Sequence, residues 1–177
     1  MAQERTGMNE GKDFISKVED AVGGMVGKVS AAMGGHDTEA FLASAAMSNT
    51  YELQAAQIAE QRANSPEVRR FAQMMRQDHG SVPARMAAFV ASAGAGSHTP
   101  ETLDNRRQGM IDNLAEAAPD NFDRMYIDQQ IMAHSEALTL FRGYADHGGN
   151  PEIRRFAAEM VPVLERHKLE AERLRGS

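Results

Sequence analysis

The sequence contains no cysteine. Disulfides, thiolate catalysis, cysteine-based zinc sites and iron–sulfur clusters are therefore excluded. Any metal ion would have to be held by histidine, aspartate, glutamate, tyrosine, methionine or water. This absence limits the candidate functions before any motif is considered.

Tryptophan is also absent, and aromatic residues make up only 6% of the chain. Long β-branched runs are missing, whereas alanine and methionine are frequent, and this balance favours helices over sheets. No run of about eighteen apolar residues occurs, so no transmembrane span is predicted. The polar residues 1–12 have no apolar segment behind them, which is not the pattern of a signal peptide. We therefore expect a cytoplasmic location for the chain as written, and a periplasmic one if a leader has been removed.

The chain has no overall excess of positive charge. Its 19 lysines and arginines face 25 aspartates and glutamates, which gives a formal net charge of −6. A mildly acidic chain of this kind is not suited to neutralising phosphates. The composition therefore predicts no nucleic-acid partner.

Composition and periodicity divide the chain into three parts. Residues 1–12 are predicted to be a disordered tail, and residues 36–177 a four-helix bundle. Between them, residues 13–35 have apolar side chains at helical spacing but several glycines, which predicts an amphipathic N-terminal helix. Two interpretations of residues 13–33 stay open: a contact for a homo-oligomer, or docking on a membrane surface or a protein partner.

The periodicity of residues 36–177 predicts an all-α, ferritin-like antiparallel four-helix bundle. Residues 65–72, SPEVRRFA, reappear as residues 150–157, NPEIRRFA. Each copy offers a capping residue followed by proline and glutamate, which is typical of a helix start. Two similar helical hairpins are therefore expected, joined by a long crossover over residues 94–118. The predicted long helices cover about 38–64, 65–93, 120–147 and 150–174, with a shorter helix at 101–117.

Each long helix places one ionisable side chain on its apolar face: Glu52, His79, His134 and His167. If the bundle runs up-down-up-down, the two hairpin turns lie at the same end. Counted from those turns, the four residues then lie about 18, 21, 21 and 25 Å down the axis. We therefore expect them to form one polar layer.

Three imidazoles and one carboxylate suit a mononuclear site for zinc or ferrous iron, with copper less favoured. Asp78, Tyr126 and Gln130 lie nearby and are candidate hydrogen-bond partners for such a site. The alternative is a metal-free hydrogen-bond network in a structural or interaction protein whose N-terminal helix mediates assembly or docking. No nucleophile–base pair or phosphate-binding loop is present, so an enzyme is the least favoured interpretation.

Three segments carry a resemblance to a known family. They are FLASAAMSNTYELQAAQIAEQRANSPEVRRFAQMMRQDH, FDRMYIDQQIMAHSEALTLF and NPEIRRFAAEMVPVLERHKLEA. Together they resemble the bacterial ferritin-like family catalogued as domain of unknown function 4142, over residues 38–175. The resemblance implies a ferritin-like helical fold and no settled activity.

The chain departs from this resemblance in three ways. Members of the family often begin with an export signal, which this chain lacks, and segment 13–33 lies outside the resemblance. In addition, di-iron carboxylate bundles use Glu-x-x-His on two helices. Arg76, Ile131 and Leu164 stand three residues before the core histidines instead. Dinuclear iron chemistry is therefore disfavoured.

Overall fold

A computed structural model describes residues 37–95 and 102–176 of the protein. Over these residues the chain forms five α-helices, which confirms the prediction of an all-α bundle. The predicted tail and amphipathic helix lie outside the described residues, so they and the proposed roles of residues 13–33 stay predictions. The helices are α1 (Thr38–Arg62), α2 (Pro66–Ala93), α3 (Asn105–Glu116), α4 (Pro119–His147) and α5 (Pro151–Arg175).

Side-chain caps explain where the long helices begin. The Asp37 carboxylate accepts from two backbone N–H groups at the start of α1. Ser65 Oγ and Asn150 Oδ1 do the same for α2 and α5. Pro66 and Pro151 follow at the first helical position, where the missing N–H costs no hydrogen bond. The repeated sequence therefore starts two helices by the same local mechanism.

The four long helices pack in a ring in which α1 contacts α2 and α4, and α5 contacts the same two helices. Two hydrogen bonds fix the direction of α4. The N–H of Asn64, just after α1, donates to Asp123 near the start of α4 at 2.9 Å. At the other end, the hydroxyls of Thr38 and Tyr144 lie 2.6 Å apart. The predicted up-down-up-down order is therefore wrong: the α1–α2 turn and the α4–α5 turn lie at opposite ends.

This topology explains the long crossover. Because α2 and α4 run in the same direction, the chain between them must return along the length of the bundle. Helix α3 lies within this connection and packs on α1 and α4. Ferritin-like folds likewise have one long connection, but the more specific ferritin-like assignment stays a prediction.

The expected polar layer survives the corrected topology. Glu52, His79, His134 and His167 each lie within four residues of the midpoint of their helix. A midpoint has the same depth whichever way a helix runs, so the error in direction does not move these residues apart.

Aromatic side chains fill the core on both sides of this layer. Toward the α4–α5 turn, Phe41 stacks on Tyr144 at 4.1 Å between ring centroids and meets Phe141 edge-on. Toward the α1–α2 turn, the rings of Phe71 and Tyr126 pack at 6.1 Å. Across the described residues, no helix has the length and apolar character needed to cross a membrane.

Candidate metal centre

Three histidines from three helices meet at the middle of the bundle. His79 lies on α2, His134 on α4 and His167 on α5, and they are 5%, 1% and 1% exposed. Their ring centroids are 5.4 to 5.8 Å apart. One ring nitrogen from each lies within 4.8 Å of the other two. We call these three residues the histidine triad.

Each imidazole of the triad is held by one hydrogen bond to an oxygen. His79 Nδ1 donates to Asn49 Oδ1 at 2.9 Å, and His134 Nδ1 donates to the backbone carbonyl of Gln130 at 2.9 Å. His167 Nε2 donates to Asp78 Oδ2 at 2.9 Å. The Gln130 carbonyl and the Asp78 carboxylate can only accept, so they place the ring proton on the bonded nitrogen, and Asn49 does the same through the amide oxygen that it presents to His79. The tautomer of every ring is thereby fixed.

The opposite nitrogen of each ring has no partner in the described structure. These atoms are His79 Nε2, His134 Nε2 and His167 Nδ1, and all three are buried. A buried acceptor without a partner is costly, and three such atoms in one small region are unusual. Each carries a lone pair that can bind a metal ion. In metal sites, a histidine ligand commonly donates its other N–H to an oxygen, as each of these rings does.

Burial keeps the triad neutral. It is the main cause that lowers the pKa of His79 well below its usual value, and the charges of the other two rings lower it further. Burial and the neighbouring His167 lower the pKa of His134 to about 3, against the opposing hydrogen bond to Gln130. Burial also lowers the pKa of His167, against the opposing effect of its hydrogen bond to Asp78. Protons therefore compete weakly for the lone pairs at neutral pH.

Glu52 lies beside the triad but on another side of His134. Its Oε1 is 3.7 Å from His134 Nδ1, the nitrogen already bonded to Gln130, and its Oε2 accepts from Gln130 Nε2 at 2.7 Å. Burial raises the pKa of Glu52 to about 8, against the Gln130 hydrogen bond and the charge of Arg107. The carboxyl group therefore does not face the free nitrogen of His134, and its predicted role as a metal ligand stays a prediction.

A buried polar band extends from Glu52 toward α3. The Tyr51 hydroxyl donates to Gln129 Oε1 at 3.0 Å, and Gln129 Nε2 donates to the carbonyl of Met110 in α3. The hydroxyl of Tyr126 is buried without a partner, and burial with the nearby Glu52 charge raises the pKa of both tyrosines. The band approaches the triad at Glu52, whose Oε1 lies 3.7 Å from His134 Nδ1.

The three rings and two of their hydrogen-bond partners were predictable from the sequence, whereas the third partner was not. Asp78 was predicted as a hydrogen-bond partner and occupies that position. Gln130 also contributes, through its carbonyl to His134 and its amide to Glu52. Asn49 was not anticipated, although it lies one turn before Glu52 on the same face of α1. A check of every polar residue on that face would have identified it.

The arrangement is therefore a buried set of three neutral imidazoles, each with one bonded and one free ring nitrogen, that bring one ring nitrogen apiece to within 4.8 Å of one another. Three nitrogen ligands leave a further coordination position on a four-coordinate ion. Among the described residues, the group of possible metal ligands at the triad consists of the three histidines.

Comparison with known proteins bears on the family alone. The model of a family described as "Domain of unknown function (DUF4142)" matches residues 25–174. The match begins inside segment 13–33, which the sequence analysis placed outside the resemblance. Comparison with curated proteins and with solved structures gave no match. The chain belongs to the domain of unknown function 4142 family.

Proposed function

We propose that this protein binds one divalent metal ion through His79, His134 and His167. The observation that carries the proposal is the group of three buried ring nitrogens without partners, one on each ring. A metal ion would satisfy all three at once. The opposite nitrogens already hold the hydrogen bonds that orient imidazole ligands in metal sites.

Zinc and ferrous iron are the metals that we propose for the triad. Imidazole suits zinc, iron, copper and nickel, whereas magnesium and calcium prefer oxygen ligands. A four-coordinate zinc ion would take three nitrogens at about 2.0–2.1 Å. The fourth ligand would be a water molecule, or Glu52 after its side chain turns away from Gln130.

A single buried ion suits holding or sensing a metal better than storing many ions. The triad is nearly inaccessible to solvent, and aromatic core lies on both sides of its layer. We therefore propose a role in metal sequestration or sensing. No catalytic residue is assigned.

The proposal is tested by metal titration of untagged, chelator-treated protein. We expect one zinc ion per chain, measured by calorimetry and by elemental analysis after gel filtration. His79→Ala and His167→Ala should each abolish stoichiometric binding while far-UV circular dichroism keeps its helical signal. His147→Ala is the matched control, because this histidine lies at the exposed end of α4. Binding that survives the double variant His79→Ala/His167→Ala would refute the site.

The second candidate function is a metal-free structural or interaction protein. It is favoured by the fact that every ring of the triad already has one good hydrogen bond within the chain. On this interpretation the chain binds no zinc, ferrous iron or copper stoichiometrically. The same titration therefore separates the two candidates.

A further inference from the structure

The three oxygens that hold the triad differ in their access to solvent. Asn49 is 6% exposed and Gln130 is fully buried. The Asp78 side chain, in contrast, is 31% exposed, and its Oδ2 also accepts from Arg166 Nη2 at 3.3 Å. The triad is thus connected to the surface on the side where α2 faces α5.

Helix α2 is weakened directly after His79. Gly80 is the next residue, and glycine in a helix interior costs about 1 kcal/mol relative to alanine. Pro83 has no N–H, so the helical hydrogen bond that would end on the carbonyl of His79 is not made. The hydroxyl of Ser81 bonds the carbonyl of Asp78 at 2.8 Å. Two weak positions therefore lie within one turn of a triad residue.

Packing does not require glycine at position 80. A Cβ atom built there would meet nothing within 4 Å, so alanine would fit without displacing any neighbour. Gly80, Ser81 and Pro83 are exposed, while Val82 is buried. Local opening of these four residues would therefore release one buried apolar side chain, and segments with few such contacts open at low free energy.

From these observations we propose that residues 78–83 of α2 form the gate through which metal reaches and leaves the triad. The gate opens by local unwinding at Gly80 and Pro83, and the contact of Asp78 with Arg166 closes its outer side. This inference rests on the proposed metal-binding function. It predicts that both metal uptake and metal release pass through the open form.

A gate of this kind has a kinetic signature. Stabilising the closed helix lowers the open population, so the uptake and release rate constants fall by the same factor and Kd does not change. The helix-propensity difference of about 1 kcal/mol between glycine and alanine corresponds to about a five-fold change. We therefore expect Gly80→Ala to slow zinc uptake and release about five-fold each.

The test uses stopped-flow mixing of full-length protein with zinc and, separately, of zinc-loaded protein with a chelator. Gly143→Ala is the matched control, because Gly143 lies in α4 and a Cβ there also meets nothing within 4 Å. Pro83→Ala restores the missing N–H donor and should slow both rates as well. If Gly80→Ala leaves both rates within two-fold of wild type, or changes only Kd, the gate is wrong and the metal site stands. If wild-type protein takes up no zinc, the proposed function itself fails.

Hydrogen exchange on the metal-free protein supplies a readout that needs no metal. The gate predicts that the amides of residues 80–82 and 84 exchange through local opening in wild type. Their exchange should slow about five-fold in Gly80→Ala and stay unchanged in Gly143→Ala. Exchange of this turn only through global unfolding would overturn the proposal.

Discussion

Replacing Glu52 by glutamine should change how the stability of the metal-free protein depends on pH. Burial raises the pKa of this carboxyl group from 4.5 to about 8 in the folded chain. The folded chain therefore keeps a proton that the unfolded chain releases between these values. For a raised pKa, the stabilising contribution is complete below pH 4.5 and is lost as pH rises through about 8.

The magnitude follows from the shift. Each pH unit within this window changes the free energy of unfolding by about 1.4 kcal/mol. Glutamine at position 52 has the same shape, keeps an oxygen for the Gln130 amide and does not ionise. The variant should therefore match wild type near pH 5 and be more stable by about 3 kcal/mol at pH 7.

Urea unfolding followed by circular dichroism, at several pH values and with a chelator present, measures this difference. The histidines of the triad have lowered pKa values, so their contribution to stability is lost as pH falls. That effect is common to both proteins and cancels in the comparison. A stability difference that does not depend on pH between 5 and 8 would refute the raised pKa of Glu52.

Three further predictions concern the carboxylate that bonds His167 and the packing of the core. Asp78→Asn should weaken zinc binding about 10- to 100-fold in a chelator competition, because the carboxylate that orients a histidine ligand is lost. Glu165→Gln removes a carboxylate from an exposed ion pair and should leave Kd unchanged. Equal affinities for the two variants would count against the role assigned to Asp78. Gly148→Ala should lower the free energy of unfolding by about 1–3 kcal/mol, because the added Cβ would overlap the ring of Tyr144. A variant as stable as wild type would show that the Tyr144 ring can move aside without cost. Leu114 of α3 is fully buried, so Leu114→Ala should lower the free energy of unfolding, measured in urea, by about 2–5 kcal/mol. A decrease of less than about 1 kcal/mol would mean that α3 contributes little to the core.

The helices could be predicted from the sequence because their signals are local. Asp37, Ser65 and Asn150 cap their helices with side chains that bond backbone groups two or three residues away. Proline at the first position of two helices adds a fixed backbone angle. Such interactions need no tertiary structure, so helix bounds came within about two residues at most ends.

The direction of the second hairpin could not be predicted in the same way. It depends on contacts between segments far apart in sequence, such as the bond from Asn64 to Asp123. A long crossover is compatible with either direction when only its length is known. The expected polar layer was insensitive to this error because its members lie at helix midpoints.

Only part of the candidate site could be predicted from the sequence, for a related reason. The 3.6-residue period shows which face a residue occupies, and this identified the three histidines. It does not show which atoms of a side chain point at each other. The position of Glu52 on the Nδ1 side of His134, and the Asn49 contact to His79, depend on side-chain rotamers that periodicity does not encode.

Anomalous diffraction at the zinc edge, from crystals of zinc-loaded protein, tests the central claim most directly. We expect one peak per chain, about 2.0–2.1 Å from His79 Nε2, His134 Nε2 and His167 Nδ1. A loaded crystal with no peak among these atoms, or with zinc bound to the nitrogens that now donate to Asn49, Gln130 and Asp78, would contradict it.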